Sequence, residues 1–164
     1  MRKRNQLEKV MNVYDILSDD EREAINGVMK ELELPLQPQT ALIVEEDDVT
    51  REMLAEILLV NGIQCLMTTN AIEALSLLDT DKSIGMVITD LRMQPLHGLA
   101  LIRKIRKSEW ADLPIVIISG DAVVPDVIAA MHLNVVDFLL KPIDPDQLVT
   151  LVYRELGIAS EAER

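Results

Sequence analysis

The chain has 164 residues, with 16 Lys and Arg against 28 Asp and Glu, so its formal net charge is −12. A chain this acidic is a poor match for nucleic-acid phosphates, which need clustered basic side chains, or for an anionic membrane surface. The single cysteine, Cys65, excludes an intramolecular disulfide and a cysteine zinc cluster.

Residues 1–38 differ in pattern from the rest and predict a helical extension followed by a linker. Two amphipathic helices are expected at about 5–16 and 19–33, the second after a capping box at Ser18–Glu21. The basic N-terminus is not followed by the apolar run of a secretory signal, and no stretch approaches the length that spans a bilayer. We therefore expect a cytoplasmic location.

Five short apolar runs alternate with helical patterns in residues 39–157. The strands are predicted at 41–45, 64–68, 86–89, 114–119 and 135–140. The helices are predicted at 49–60, 71–79, 98–107, 125–132 and 145–156, with apolar faces such as Ile72, Leu75 and Leu78. Parallel strands need crossover helices, so this order predicts a doubly wound α/β domain, with residues 158–164 as a tail.

Polar side chains stand at the ends of four predicted strands. Glu45 and Glu46 follow the first, Asp90 the third, Ser119 the fourth and Lys141 the fifth. Each alone fits a helix cap, a turn or a solvated side chain. Ligands of such sheets bind at the carboxyl ends of the strands, so together these residues predict a site there.

The motifs at these positions match a known family. Residues 42–47, 87–93, 117–120 and 137–142, together with Gly98, resemble the CheY-like receiver domain of bacterial two-component response regulators. The resemblance covers about residues 39–157. It implies a flavodoxin-like (βα)5 sandwich with a five-stranded parallel sheet in the order 2-1-3-4-5.

The resemblance also implies an acidic phosphorylation site. By it, Asp90 is the phosphoacceptor, and Glu45 and Glu46 match the acidic pair that binds Mg²⁺ together with Asp90 and the backbone carbonyl of Met93. Three neighbouring carboxylates repel one another, and a hard divalent cation relieves that repulsion. Mg²⁺ is thus the expected cofactor.

Three further residues take roles from the resemblance. Ser119 matches the hydroxyl residue that contacts the phosphoryl group, and Lys141 matches the lysine that pairs with it. The bond before Pro142 is expected to be cis. Phe138 matches the aromatic switch residue, which turns inward when Ser119 moves towards the phosphoryl group. The negative charge added by phosphorylation of Asp90 then shifts the packing on the face formed by the fourth helix, fifth strand and fifth helix of the repeat.

Departures from the family pattern concern the acidic pair and its surroundings. Glu46 stands where the family usually has Asp, and its longer side chain puts Mg²⁺ geometry in question. Asp47 is either a cap of the next helix or a compensating ligand. His97 is expected to be a surface residue, and Gly120 is expected to open access to the phosphoryl group.

Two other positions carry expectations of their own. Arg92 and Asp121 flank the site in the family, and their opposite charges suggest a pair across the entrance. Asn134 replaces a usual glycine, and asparagine tolerates the left-handed conformation that this turn needs.

The leading interpretation is a single-domain response regulator. It would accept phosphate on Asp90 from a histidine kinase or a histidine phosphotransfer protein and signal by binding another protein, without nucleic acid or membrane. Only seven residues follow Gly157, which favours the absence of an output domain. The chain would catalyse only its own phosphorylation and dephosphorylation, so it is not classed as an enzyme.

Two alternatives remain open. A phosphate-independent receiver that acts as an interaction module is favoured only by Glu46. A flavin-binding protein or enzyme of flavodoxin-like fold is disfavoured because residues 44–53 lack a glycine-rich phosphate loop and aromatic residues are few.

The N-terminal helices also admit two interpretations. They either pack on the receiver as a hairpin or serve dimerisation or partner docking. We predict some self-association, through the apolar residues Leu7, Met11, Tyr14, Ile25, Met29 and Leu32.

Overall fold

The computed structural model describes residues 17–31, 39–121 and 123–158. At its centre is a five-stranded parallel sheet in the order β2-β1-β3-β4-β5. The strands are β1 Thr40–Val44, β2 Gln64–Thr68, β3 Ile84–Asp90, β4 Ile115–Ser119 and β5 Asp137–Leu140. The predicted strand order is confirmed.

Helices alternate with the strands, as predicted. They are α1 Asp19–Glu31, α2 Asp48–Val60, α3 Ala71–Thr80, α4 Gly98–Arg106, α5 Val124–His132 and α6 Pro145–Leu156. Within the described residues, every helix is too short or too polar to span a bilayer.

The sheet is covered on both faces, because its strands are apolar on both sides. One core packs α3, α4 and Ala130 of α5 against residues such as Leu42, Val87 and Ile117. The other packs α2 and α6 against residues such as Ile43 and Ile118. The fold is therefore the doubly wound three-layer sandwich that the sequence predicts.

Helix boundaries follow local chemistry. The Asn70 side chain accepts a hydrogen bond from the Glu73 N–H, and Asp144 caps α6, whose first residue is Pro145. Gly157 ends α6 with φ 64°, and Asn134 has φ 54°, the left-handed conformation expected of it. These caps explain why the predicted bounds lie within two residues of most observed ones.

The predicted burial of one residue, Ile72, is wrong. Ile72 of α3 is 60% exposed, whereas Ala71, Ala74 and Leu78 are buried. Ala71, Ala74 and Leu78 form the face of α3 that packs into the core, so Ile72 lies on the opposite, solvent-facing side. Apolar spacing alone does not distinguish this face from the one predicted.

Helix α1 belongs to a separate unit, residues 1–37, while residues 38–164 form the other. The predicted capping box is present: the Glu21 side chain accepts from the Ser18 N–H at 2.8 Å, and the Glu21 N–H donates to Ser18 Oγ at 3.4 Å. The helix predicted at 5–16 lies outside the described residues, as do Leu7, Met11, Tyr14 and Leu32. Self-association therefore stays a prediction.

Candidate functional site

The predicted polar cluster forms at the carboxyl edge of the sheet. Parallel register places Val44 beside Thr89, Asp90 beside Ile118, and Ser119 beside Leu140. The residues at and just after these strand ends therefore meet at one edge. Three of the predicted site residues, Glu45, Asp90 and Lys141, are in direct contact there.

Glu45 is an almost fully buried carboxylate, 2% exposed. Its Oε1 accepts a hydrogen bond from the Asp47 N–H at 3.0 Å, and its Oε2 accepts one from Lys141 Nζ at 2.9 Å. A buried charge is tolerated only with such partners. Both oxygens of Glu45 are thus held in place by the protein itself.

Asp90 ends β3 and is 8% exposed. Its Oδ1 accepts from the Leu91 N–H at 2.7 Å, and Lys141 Nζ lies 3.4 Å from its Oδ2. Gly98 packs directly behind it: a Cβ there would lie 2.2 Å from the Asp90 carbonyl oxygen. Only glycine allows the start of α4 to approach Asp90 this closely.

Lys141 is the cation that joins the two carboxylates. Burial of its ammonium group lowers its pKa, but the hydrogen bond to Glu45 and the negative charges of Asp90 and Glu45 outweigh that effect. The net result is a pKa above the usual value. Lys141 is therefore charged at neutral pH. The Lys141–Pro142 peptide bond is cis, as predicted.

Glu46 does not join this contact. It is exposed, and its Oε2 accepts a hydrogen bond from the Gln94 N–H at 3.1 Å, across to the loop after Asp90. Within the described residues, no three His, Cys, Asp or Glu side chains form a cluster able to hold a metal ion. The structure thus does not bring Glu45, Glu46 and Asp90 together as three ligands.

The remaining donor set still suits magnesium. Glu45 and Asp90 carry two negative charges against the single charge of Lys141, and their oxygens are the hard ligands that Mg²⁺ prefers. Mg²⁺ commonly takes only one or two protein carboxylates and keeps several waters. Met93 is buried on the loop that follows Asp90, and its backbone carbonyl stays a predicted Mg²⁺ ligand.

Sequence reasoning missed Arg51, which fixes the acidic loop. Its guanidinium donates to the carbonyls of Glu45 at 2.9 Å and Glu46 at 3.3 Å, and it pairs with Asp48. Asp47 is the helix cap, because its carboxylate accepts from the Thr50 N–H. The signal for Arg51 was its position three residues after Asp48, where helical side chains meet.

Ser119 is completely buried, and its Oγ accepts from the Asp121 N–H at 3.3 Å. Next to it, a Cβ on Gly120 would lie 3.6 Å from Lys141 Cδ, an ordinary contact distance. Glycine here leaves room beside the Lys141 stem. Open access to the phosphoryl group stays a prediction.

The expected partner of Arg92 is present, together with a second one. Arg92 lies 4.0 Å from the carboxylate of Asp121 and 3.6 Å from that of Asp126, on α5. His97, expected on the surface, is half-buried and caps α4 through a hydrogen bond from the Leu99 N–H to its Nδ1.

Phe138 is half-buried on β5 and borders a groove of about 360 Å³. The groove is lined by apolar side chains of α5 and β5, namely Val124, Val127, Ile128, Phe138 and Leu140. The predicted switch residue thus lies between the core and an open apolar surface.

The response regulator receiver domain family matches residues 41–153. The transcriptional regulatory protein FixJ of Azorhizobium caulinodans is 32% identical over 74% of this chain, and the C4-dicarboxylate transport regulatory protein DctD of Rhizobium meliloti is 33% identical over 67%. This chain covers 57% of the first and 24% of the second, less than two thirds of either.

Solved structures give the same result. A response regulator receiver protein from Pseudomonas putida is 47% identical, with a TM-score of 0.70, and the match covers 72% of this chain and 98% of that one. A response regulator from Chloroflexus aurantiacus is 28% identical, with a TM-score of 0.68 over 74% and 99%. This chain belongs to the response regulator receiver domain family.

Proposed function

We propose that Asp90 accepts a phosphoryl group from a phosphohistidine of a histidine kinase or phosphotransfer protein. The observation that carries this proposal is the Lys141 ammonium held between the buried carboxylates of Glu45 and Asp90. A structural ion pair needs one carboxylate. Two buried carboxylates on one cation leave an uncompensated negative charge, which is costly and typical of a functional site.

The reaction is a phosphoryl transfer between the two proteins. A carboxylate oxygen of Asp90 forms a bond with phosphorus as the P–N bond of the phosphohistidine breaks. The electron pair of that bond stays on the imidazole, and Asp90 becomes an acyl phosphate. Catalysis of such transfers is mainly positioning and charge stabilisation. Lys141 is placed to neutralise the phosphoryl oxygens, and the Leu91 N–H orients Asp90.

Mg²⁺ is the proposed cofactor, and Glu45 and Asp90 are its proposed side-chain ligands, with the Met93 carbonyl. When bound, it would supply further positive charge to the phosphoryl oxygens. The chain would in this sense catalyse only its own phosphorylation and dephosphorylation.

The signal would pass to another protein. An acyl phosphate adds charge and acceptor oxygens beside Ser119, whose hydroxyl accepts a hydrogen bond from the Asp121 N–H. Phe138 borders the apolar groove between α5 and β5, so a shift of its ring changes that surface. We propose that a partner protein recognises this changed surface.

A phosphate-independent interaction module is the second candidate. It is favoured by the hydrogen bond that keeps Glu46 on Gln94, away from Glu45 and Asp90. Under this alternative the contacts of Lys141 with Glu45 and Asp90 are fixed structural ion pairs. The apolar groove between α5 and β5 is then open to a partner protein without phosphorylation.

The test is the intact mass of the protein after incubation with acetyl phosphate, with and without Mg²⁺. We expect one added phosphoryl group (HPO₃, about 80 Da). It should form only with Mg²⁺ and be absent in Asp90→Asn. The same adduct in Asp90→Asn would refute Asp90 as acceptor. No adduct from acetyl phosphate or from a phosphorylated histidine phosphotransfer protein, on a chain with native circular dichroism, would favour the interaction module.

A further inference from the structure

Arg92 connects the loop after Asp90 to helix α5. Its guanidinium lies 3.6 Å from Asp126 Oδ2 and donates to the Asp121 carbonyl at 3.4 Å. Arg92 is only two residues from Asp90, and Asp121 is two residues from Ser119. The guanidinium therefore lies where the loops that follow β3 and β4 come together.

The two acidic partners of Arg92 differ in their surroundings. The Asp121 side chain is 82% exposed, whereas that of Asp126 is 19% exposed. Asp126 Oδ2 is buried and has no hydrogen-bond partner among the described residues. A buried carboxylate oxygen without a hydrogen bond is destabilising, so Asp126 depends on the nearby charge of Arg92.

Asp126 stands in the first turn of α5, and its N–H donates to the Val123 carbonyl at the helix start. The same helix supplies Val124, Val127 and Ile128 to the apolar groove. The Arg92–Asp126 ion pair thus ties the helix that forms one wall of the groove to the loop that follows the phosphoacceptor.

We propose that the Arg92–Asp126 ion pair is a latch that holds the start of α5, and that phosphorylation of Asp90 opens it. This inference rests on the proposed function. Phosphorylation replaces the single negative charge of the Asp90 carboxylate with close to two on the phosphoryl oxygens, beside the loop that carries Arg92. Arg92 is half exposed, and we expect its side chain to turn towards the new charge. Asp126 then loses its counter-charge, and the first turn of α5 becomes less stable.

The latch is tested first without phosphate, by hydrogen–deuterium exchange of residues 124–132 read by mass spectrometry. Asp126→Asn and Arg92→Gln should each raise exchange in α5 by about five- to tenfold while α2 keeps its protection. Asp121→Asn is the matched control, because it removes an exposed carboxylate on the same cation, and α5 should then exchange as in the wild type. Wild-type exchange of α5 in both Arg92→Gln and Asp126→Asn would overturn the proposal.

The second arm uses protein phosphorylated by acetyl phosphate, with the adduct quantified in the same sample. Phosphorylation should raise exchange of α5 in the wild type and add nothing in Asp126→Asn, where the latch is already open. An adduct on wild-type protein with unchanged exchange of α5 would refute the latch and leave the proposed function standing. Absence of an adduct with acetyl phosphate and also with a phosphorylated histidine phosphotransfer protein would refute the proposed function, and the phosphate-driven switch with it.

Discussion

Lys141 and Glu45 are 96 residues apart in the sequence and form an ion pair of 2.9 Å. The same ammonium group contacts Asp90, so it is the counter-charge of two buried carboxylates. Lys141→Gln should lower the free energy of unfolding by about 2–3 kcal/mol, because removing one partner leaves buried charge uncompensated. Urea unfolding at neutral pH measures this loss.

Lys104→Gln is the matched control, since Lys104 is an exposed lysine of α4. Its replacement should change the unfolding free energy by less than about 0.5 kcal/mol. Equal effects of the two substitutions would show that the Lys141 contact contributes little to the fold.

The pH dependence of this ion pair follows from the raised pKa of Lys141. The ammonium is stabilised in the folded state, so its contribution is fully present below the unfolded pKa, about 10.4. The contribution is lost as pH rises through the higher folded pKa. The stability difference between wild type and Lys141→Gln should thus be constant from pH 7 to 9 and shrink above about pH 10. A difference that shrinks between pH 7 and 9 would contradict the raised pKa.

The sequence predicts the sheet and most helix bounds because their signals are local. The α6 bounds at 145 and 156 follow from Asp144, Pro145 and Gly157, which act on adjacent backbone. The partner of Glu46 is not predictable in this way, because the hydrogen bond to Gln94 depends on how two loops meet. The same applies to the ion pair of Arg92 with Asp126.

Gly98→Ala should damage both stability and phosphorylation. The new Cβ would lie 2.2 Å from the Asp90 carbonyl oxygen and 2.9 Å from Leu91 Cα, so the backbone must shift. We expect a loss of about 1–3 kcal/mol in unfolding free energy and a slower Mg²⁺-dependent adduct, because the shift moves Asp90 itself. Urea unfolding and intact mass measure the two effects.

Gly120→Ala is the control for this substitution. Among the described residues its Cβ would meet Lys141 side-chain carbons, at 3.6 Å or more, so the adduct should still form and stability should change by less than about 1 kcal/mol. If Gly98→Ala behaves like Gly120→Ala, the close packing of α4 on Asp90 is not required.

Glu45→Gln and Glu46→Gln separate the two acidic residues. Glu45 contacts Lys141 beside Asp90, whereas Glu46 is exposed and bound to the Gln94 N–H, which a glutamine oxygen also satisfies. The Mg²⁺ concentration for half-maximal phosphorylation should rise more than about tenfold in Glu45→Gln and less than that in Glu46→Gln. Equal losses would show that Glu46 is a metal ligand, as the family resemblance implies.

Arg106 offers a prediction that is purely structural. Its guanidinium donates to the carbonyls of Ala111, Leu113, Leu133 and Asn134 at 2.7–3.1 Å, at the opposite end of the sheet from Asp90. Arg106→Leu should lower the unfolding free energy by about 2–3 kcal/mol, because these carbonyls lose a charged donor. The adduct should form at the wild-type rate wherever the variant is folded.

Arg106→Lys should recover less than half of that stability. A compact ammonium cannot reproduce the planar guanidinium, which reaches the carbonyls of residues 111 and 113 and also those of residues 133 and 134. Full recovery in the lysine variant would show that charge, rather than the geometry of the four hydrogen bonds, is what this position needs. A slower adduct in folded Arg106→Leu would contradict the separation of the two ends of the sheet. Urea unfolding and intact mass of the same samples decide both points.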